Sequence, residues 1–325
     1  MPVPFFYVIV NPVSGGGNGL RVWQEIQTEL DARRIDYQVK VSQFSGHAVQ
    51  LAQQIGNFAA ESPAAILVIG GDGTLNQALT GVRSTIHPDM PLAYIPAGSG
   101  NDFARGIGLS PKPKEALAQI LETSQPVNID VGEFTETNHH QHGFFVNNIG
   151  IGFDAAIVSA ANHSKAKNWL NKIHMGQLAY IINVIGVFFR QAAFPLTVTV
   201  DGKPTYISKA FLVTTSNHPY FGGGVKILPD AVPTDGKLDL IVVERPNLLY
   251  FLFLVLQVFL GRHTKYDAVH VFRSAHIQLS MNDIEDGQMD GEELGSRTYD
   301  MQFTTVPHPF WLSHLTHVPD QPSTH

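Results

Sequence analysis

The apolar run Ala64-Ala65-Ile66-Leu67-Val68-Ile69 reads as a short strand buried on both faces, the texture of a parallel sheet. It empties into Gly70-Gly71-Asp72-Gly73-Thr74. Beyond that loop Leu75, Ala78, Leu79 and Val82 recur at helical spacing, with Asn76 and Gln77 turned outward. The same succession opens the chain: residues 5–10 are apolar, Asn11 to Gly19 is rich in glycine, and a helix is expected near 20–34. Strand 37–41 precedes a helix near 46–58, strand 92–95 enters Pro96-Ala97-Gly98-Ser99-Gly100-Asn101-Asp102, and a helix follows near 113–122. This alternation predicts right-handed βαβ units, hence an α/β first domain with a parallel sheet flanked by helices. Ligands of such sheets bind beyond the carboxyl ends of the strands, so the three Gly-rich loops should converge on one crevice.

The texture then changes. Segments 126–135, 143–151, 195–201, 205–216, 237–244, 268–280 and 298–305 look like strands, several joined by turn residues such as Asp201-Gly202. They predict a mainly antiparallel second domain, with helices near 154–161, 168–190 and 246–260. The boundary is placed near residue 124, giving a first domain over 1–124 and a second over 125–305. The longest apolar stretch, Leu248 to Leu260, is interrupted only by Gln257 and is too short for the ~20 residues of a membrane-crossing helix. No transmembrane segment is predicted. The stretch reads as a buried helix, or as one whose aromatic face (Tyr250, Phe251, Phe253, Phe259) rests on lipid with Arg262, His263 and Lys265 beside the headgroups.

Composition removes several function classes. The 325 residues carry a net charge of −7, so no global basic field argues for nucleic acid. Cysteine is absent, which excludes disulfides, thiolate metal sites and a cysteine nucleophile. Met1-Pro2-Val3-Pro4 lacks the basic start of a signal peptide, so cytoplasmic residence is expected, with peripheral contact at a membrane as an option. His139, His140 and His142 lie between two strands without helical ligand spacing and read as a solvated turn, not a metal site.

The glycine loops carry the chemistry. A strand that opens through glycines into a helix presents unpaired amides at one point, which suits phosphate, and Asp72 adds a carboxylate where a magnesium–phosphate complex needs one. The first loop, Asn11-Pro12-Val13-Ser14-Gly15-Gly16-Gly17, lacks the lysine–hydroxyl ending of a P-loop, and its glycine spacing is no dinucleotide fingerprint. In the third, Asn101 or Asp102 would equally serve as a helix cap. Asp290-Gly291-Glu292 suits a general base at a strand end, and also reads as an acidic hairpin turn.

Taken together, Asn11-Pro12-Val13-Ser14-Gly15, Gly70 to Asn76, Pro96 to Arg105, Asn148-Ile149-Gly150-Ile151-Gly152-Phe153-Asp154, Asp235-Gly236-Lys237-Leu238-Asp239 and Asp290-Gly291-Glu292 resemble, in order, the signatures of the diacylglycerol kinase catalytic-domain family. The resemblance is to its bacterial lipid kinases and spans residues 5 to about 305. It implies an N-terminal nucleotide domain, a C-terminal β-sandwich domain with the active site between them, and a last segment, 306–325, packing back on the first domain. By motif match, ATP contacts fall on Asn11, Pro12, Ser14, Gly15, Gly71, Asp72, Gly73, Thr74, Asn76 and Ser99, with Ser42 near the adenosine. Asp290 and Glu292 match the pair holding the catalytic base; Glu292 is favoured for that role, with Asp290 nearer the metal–phosphate network. A structural Mg2+ is implied on the Asp235 carboxylate and the carbonyls of Val232 and Lys237. The expected activity is ATP-dependent transfer of a phosphoryl group to a lipid hydroxyl at a membrane surface, diacylglycerol first among acceptors. The alternatives are a kinase of a soluble acceptor such as NAD, and a nucleotide-binding regulatory protein without catalysis. Exposed second-domain strands would permit a homodimer.

Overall fold

The computed structural model describes residues 5–59, 63–163 and 184–312. β1 (Phe5–Val10), β3 (Ala64–Gly70) and β4 (Leu92–Pro96) are buried along nearly their whole length, as strands must be when helices cover both faces. With β2 (Tyr37–Val41) they form a parallel array in the order β4-β3-β1-β2. The helices around it are α1 (Ser14–Ala32), α2 (His47–Phe58), α3 (Asp72–Arg83), the short α4 (Asp102–Gly106) and α5 (Pro113–Leu121). α1 buries Val22, Trp23, Ile26 and Leu30, one stripe of a 3.6-residue period. Its first turn is not helical: Gly15, Gly16 and Gly17 have φ of 58°, 71° and 99°, so regular helix begins only beyond them.

The second half is antiparallel. Its main strands are β5 (Val127–Glu136), β6 (Gln141–Phe145), β7 (Asn148–Gly152), β8 (Phe194–Val200), β9 (Lys203–Ser216), β12 (Leu238–Glu244), β13 (Val269–Ser274), β14 (His276–Met289) and β15 (Glu292–Phe310). A two-stranded ribbon, β10 (Tyr220–Phe221) with β11 (Val225–Lys226), stands apart. The strands close on a second core that includes Phe145, Phe194, Tyr299, Met301 and Phe303, a sandwich-like packing distinct from the core under β1, β3 and β4. α6 (Phe153–His163), a helical segment at 184–190 and α7 (Leu248–Phe259) pack in two smaller clusters, one around Phe153, Phe188, Phe211 and Phe251 and one around Ile241 and Leu254. Of the helix expected over 168–190, residues 168–183 lie outside the described residues, as do 313–325 of the tail.

Two differences from the sequence pattern matter for the site. The strand expected over 143–151 breaks at Val146-Asn147, because those backbone amides turn away from the sheet to a carboxylate described below. β14 and β15 run well beyond the expected 268–280 and 298–305. Their extra length passes through exposed Asn282, Asp283 and Ile284, where no alternation marks a strand and the pairing is interrupted, resuming at Glu285 opposite Arg297 on the way to the hairpin. At its far end β15 pairs parallel with β4, Phe310 opposite Leu92, and Trp311 N–H donates to Leu92 O at 2.7 Å. One continuous path of strands thus joins both halves, and Phe310, Trp311 and Leu312 sit in the first core.

Candidate active site

β1, β3 and β4 are neighbours, so the loops leaving their carboxyl ends meet. A Cβ on Gly98 would lie 2.6 Å from Gly71 Cα, and one on Gly15 would lie 2.4 Å from Ala97 O. A Cβ on Gly71 would come within 3.4 Å of Ser14 Oγ. These glycines are there because three backbones approach too closely for side chains. Asn11 ties the first loop to the second by donating to Thr74 Oγ1 at 2.9 Å, and Asn18 ties it to the third by donating to Ala97 O at 3.3 Å. Ser42, just beyond β2, donates its backbone N–H to Val10 O and so belongs to the same sheet end. Pro12 makes the turn between β1 and the glycines.

Asp72 stands at the first position of α3 but serves another helix. Its Oδ2 accepts the Asp102 N–H at 2.9 Å, satisfying an orphan amide at the start of α4. Asn101 adopts φ 53° and turns its amide onto Gly98, so it shapes the loop and caps nothing with its side chain. Asp102 in turn pairs with Arg105 and accepts the Gly223 N–H at 2.8 Å. Burial, with the Asp102 charge adding to it, pushes Asp72 up to about 6 against the amides that stabilise its anion. Both carboxylates border Gly100, whose added Cβ would lie 3.7 Å from Asp72 Oδ2 and 3.8 Å from Asp102 Oδ2, an oxygen-rich corner that could face a hard cation.

Across the cleft, Asp290 and Gly291 are the two turn residues of the β14–β15 hairpin, with φ of 50° and 85°. The acidic-turn reading and the site reading are therefore the same object. The turn sends its two acids to different fates. Asp290 is enclosed: Oδ1 accepts the N–H groups of Asn147 (2.9 Å) and Asn148 (3.0 Å), and Oδ2 accepts Val146 N–H (2.9 Å) and Asn76 Nδ2 (2.8 Å). Burial raises it to about 7, opposed by the three backbone amides. Glu292 is exposed, and among the described residues its carboxylate has one hydrogen bond, accepting from Gln77 Nε2 at 3.2 Å. Its Oε1 lies 3.5 Å from where a Cβ on Gly73 would stand, so it overhangs the second glycine loop.

Asn76 corrects the helical-wheel expectation. It is buried, and donates to both Asp290 and Phe144 O (2.6 Å), because α3 faces the second half and not solvent at this turn. Its amide is thus spent on protein groups. Gln77 does point outward, to Glu292.

A cleft of about 420 Å³ separates the halves. Asp72, Gly73, Ser99, Gly100 and Asp102 line one wall; Asn147, Asn148, Gln288, Asp290 and Gly291 line the other; Ile157, Val158 and Phe221 supply an apolar end. Several residues that line the cleft or brace its walls escaped the sequence reading. Gln288 donates to Asn148 Oδ1 and accepts Gly291 N–H, bracing the hairpin, yet it is one polar residue in an ordinary strand. Tyr94, buried in an apolar run, reaches Asp72 at 3.4 Å. His218 is buried and neutral, pushed down to about 3 by burial, with Nε2 2.7 Å from Asn147 Oδ1. No local signal in the sequence marks these positions.

The residues implied for a structural magnesium lie elsewhere, in the turn that leads into β12. Asp235 pairs with Arg273 and accepts the Lys237 N–H at 3.1 Å; Val232 precedes that turn. Asp239 is buried nearby, 3.8 Å from Arg273 Nε, with Oδ2 unpartnered, and burial raises it to about 6 with help from Asp235 and Asp230. The oxygen-only, carboxylate-rich setting fits a hard cation in kind, and Arg273 supplies the counter-charge. Among the described residues no group of three or more His, Asp or Glu converges to hold a metal. His139 and His142 are paired singly with Glu136 and Glu133, at 2.8 Å each.

The comparisons with known proteins agree with this architecture. The family model for the diacylglycerol kinase catalytic domain matches residues 6–134, and that for the YegS C-terminal NAD kinase beta sandwich-like domain matches 147–310. YtlR of Bacillus subtilis (strain 168), which carries a lipid-kinase name, is 29% identical over 306 residues, covering 93% of this chain and 97% of its own. A diacylglycerol kinase of Mycobacterium tuberculosis (strain H37Rv) is 28% identical over 271 residues, 83% of each chain. A crystal structure of a diacylglycerol kinase from Bacillus anthracis (Sterne) superimposes with a TM-score of 0.68, covering 96% of this chain and 97% of that one. At 21% identity that last likeness speaks for the fold alone.

Proposed function

Because the chain belongs to the diacylglycerol kinase catalytic-domain family of lipid kinases, we propose that it transfers the γ-phosphoryl group of ATP to a lipid hydroxyl, converting diacylglycerol to phosphatidic acid. The observation that carries this reading is the division of labour at the hairpin. Asp290 has both oxygens filled by four donors and positions the turn, while Glu292 overhangs Gly73 with its carboxylate largely free.

In this reading the loops at Ser14, Gly71 to Thr74 and Ser99 hold the triphosphate through backbone amides and hydroxyls. Asp72 and Asp102 would hold the magnesium that comes with ATP, which would supply neutralisation of the phosphate charge. Glu292 accepts the proton of the acceptor hydroxyl as its oxygen attacks the γ-phosphorus in line, and ADP departs with the electrons of the broken P–O bond. The apolar end at Ile157, Val158 and Phe221 suits acyl chains better than a charged soluble acceptor. The structural cation at Asp235 belongs to the same proposal, as a stabilising element remote from the chemistry.

The test is a lipid panel in mixed micelles with labelled ATP, products read by mass. Label in the organic phase as phosphatidic acid is expected. Label confined to the aqueous phase with NAD or another soluble acceptor would overturn the lipid assignment. Nucleotide binding without transfer to any acceptor would leave a regulatory protein.

A further inference from the structure

α7 has its polarity reversed for a helix facing water. Its inner stripe, Phe251, Leu254 and Gln257, is buried, and the one polar side chain among them faces inward. Its outer stripe, at spacings of three and four, is Leu249, Leu252, Phe253, Leu256, Phe259 and Leu260. Leu249 is 81% exposed, Phe259 76% and Leu256 56%. A helix apolar all round is normally enclosed, so this face calls for a cover. At 12 residues, about 18 Å, it is too short to cross a bilayer, and among the described residues no helix is long and apolar enough to do so.

We propose that the outer face of α7 is a membrane-docking surface, inserted flat among the headgroups and upper acyl chains of an anionic bilayer. Charge favours that occupant. The chain is acidic overall, yet α7 carries no charge, and exposed Arg262 and Lys265 follow its C-terminal end. Lys209, also exposed, lies at the other end, where its carbonyl accepts the Arg245 N–H just before the helix cap. Among the described residues neither Arg262 nor Lys265 is ion-paired, and Asp267 is the exposed carboxylate nearest to them in the chain. Two copies meeting on this face would bring these cations together, whereas phosphate headgroups would neutralise them.

Continuity with the cleft points the same way. Phe221 packs against the cluster that holds Leu254, and Ile157 against the one that holds Phe251, so two apolar lining residues of the cleft share packed cores with the inner stripe of α7. A bilayer seated on the outer stripe stands one helix away from the wall that would receive acyl chains. Choosing a bilayer over other occupants rests on the lipid-kinase reading; the binding itself needs no catalysis.

The experiment is flotation of the full chain with phosphatidylethanolamine–phosphatidylglycerol vesicles, without nucleotide. Wild type is expected to float. L249E/L256E is expected to lose about a hundredfold in partitioning, roughly tenfold per leucine withdrawn from lipid. Its thermal unfolding and its turnover of a short-chain, micelle-dispersed diacylglycerol should stay at wild-type level. L249S/L256S covers the case that glutamate disturbs the helix. R262E/K265E should weaken binding to anionic vesicles and leave binding to phosphatidylcholine vesicles unchanged. A wild type that stays in the aqueous fraction, or variants that float equally well, overturns the proposal. So does a wild-type dimer that these variants convert to monomer while no form binds vesicles, since the cover would then be a second copy. A protein that floats but phosphorylates no lipid leaves the docking face standing and sinks the kinase reading; one that turns over micellar diacylglycerol without floating does the reverse.

Discussion

Asn76 Nδ2 donates to Asp290 Oδ2 at 2.8 Å, tying α3 of the first half to the hairpin of the sandwich half across 214 positions of sequence. With Phe144 O on the same amide, this side chain holds the two walls of the cleft in register. Asn76→Ala removes one of four donors from an enclosed carboxylate and is expected to cost about 1–3 kcal/mol. Asp290→Ala strands three buried amides and should cost about 3 kcal/mol or more. Urea unfolding gives both values. Equal, negligible losses would show that the hairpin is not anchored here.

Glu292→Gln separates chemistry from architecture. The residue is exposed and, among the described residues, makes a single hydrogen bond, which glutamine keeps, so stability should change by less than about 0.5 kcal/mol. Turnover should fall by about 10²–10⁴, the usual worth of a general base. The pair of measurements discriminates: a folded variant with near-normal kcat assigns the proton to another group.

The parallel array and its three converging loops were legible because their signals are local. Buried runs such as 64–69 end in glycines, and neighbouring strands bring the loops together without further information. What the sequence hid is relational. Asn76 looks like the outward side of an amphipathic helix until Asp290 is placed opposite it. The apparent strand 143–151 gives no reason to break until Asp290 claims the amides of Val146, Asn147 and Asn148. The exposed polar middle of β14 carries no alternation, so the hairpin that delivers Glu292 is longer than its pattern.

Gly98→Ala tests the loop convergence. The added methyl would meet Gly71 Cα at 2.6 Å and Asn101 Oδ1 at 2.9 Å, so the second and third loops must separate. The affinity for ATP should fall at least tenfold while acceptor affinity changes little. Gly16→Ala is the control: its methyl meets nothing within 4 Å, and only the φ of 71° is unfavourable. Calorimetry with ATP reads both; equal effects would mean that loop contact is not what the glycine protects.

The Asp235 site predicts competition between guanidinium and cation. Arg273→Met leaves Asp235 and buried Asp239 without their counter-charge, and should lower the unfolding temperature in chelator. Millimolar magnesium should then restore the variant more than it stabilises wild type, because ligand binding to the native state adds stability by mass action. Asp235→Asn should abolish the magnesium response. Identical responses in all three proteins would remove the cation from this turn.

Asp154 gives a pH dependence of definite sign. It is fully buried at the start of α6, with Oδ2 accepting from Thr214 at 2.7 Å and from Gln288 at 3.3 Å and Oδ1 unpartnered. A Cβ on Gly150 would lie 1.7 Å from Oδ2, which is why that strand position is glycine. Burial raises the carboxyl to about 7, well above an unfolded aspartate near 3.9. Between those values the native state keeps a proton that the unfolded chain has released. Stability from this group is therefore fully present below pH ~4, falls as pH rises through ~7, and is flat beyond. Histidines 218 and 308, buried and pushed down to about 3, act with the opposite sign as pH falls below ~6.5, so the total profile mixes both. The difference between Asp154→Asn and wild type isolates the one group. It should be near zero at pH 4 and favour the variant increasingly up to pH 7, by at most about 4 kcal/mol, then level off. Urea midpoints across that range read it, and a difference that is constant with pH would mean that Asp154 is ionised in the folded protein throughout.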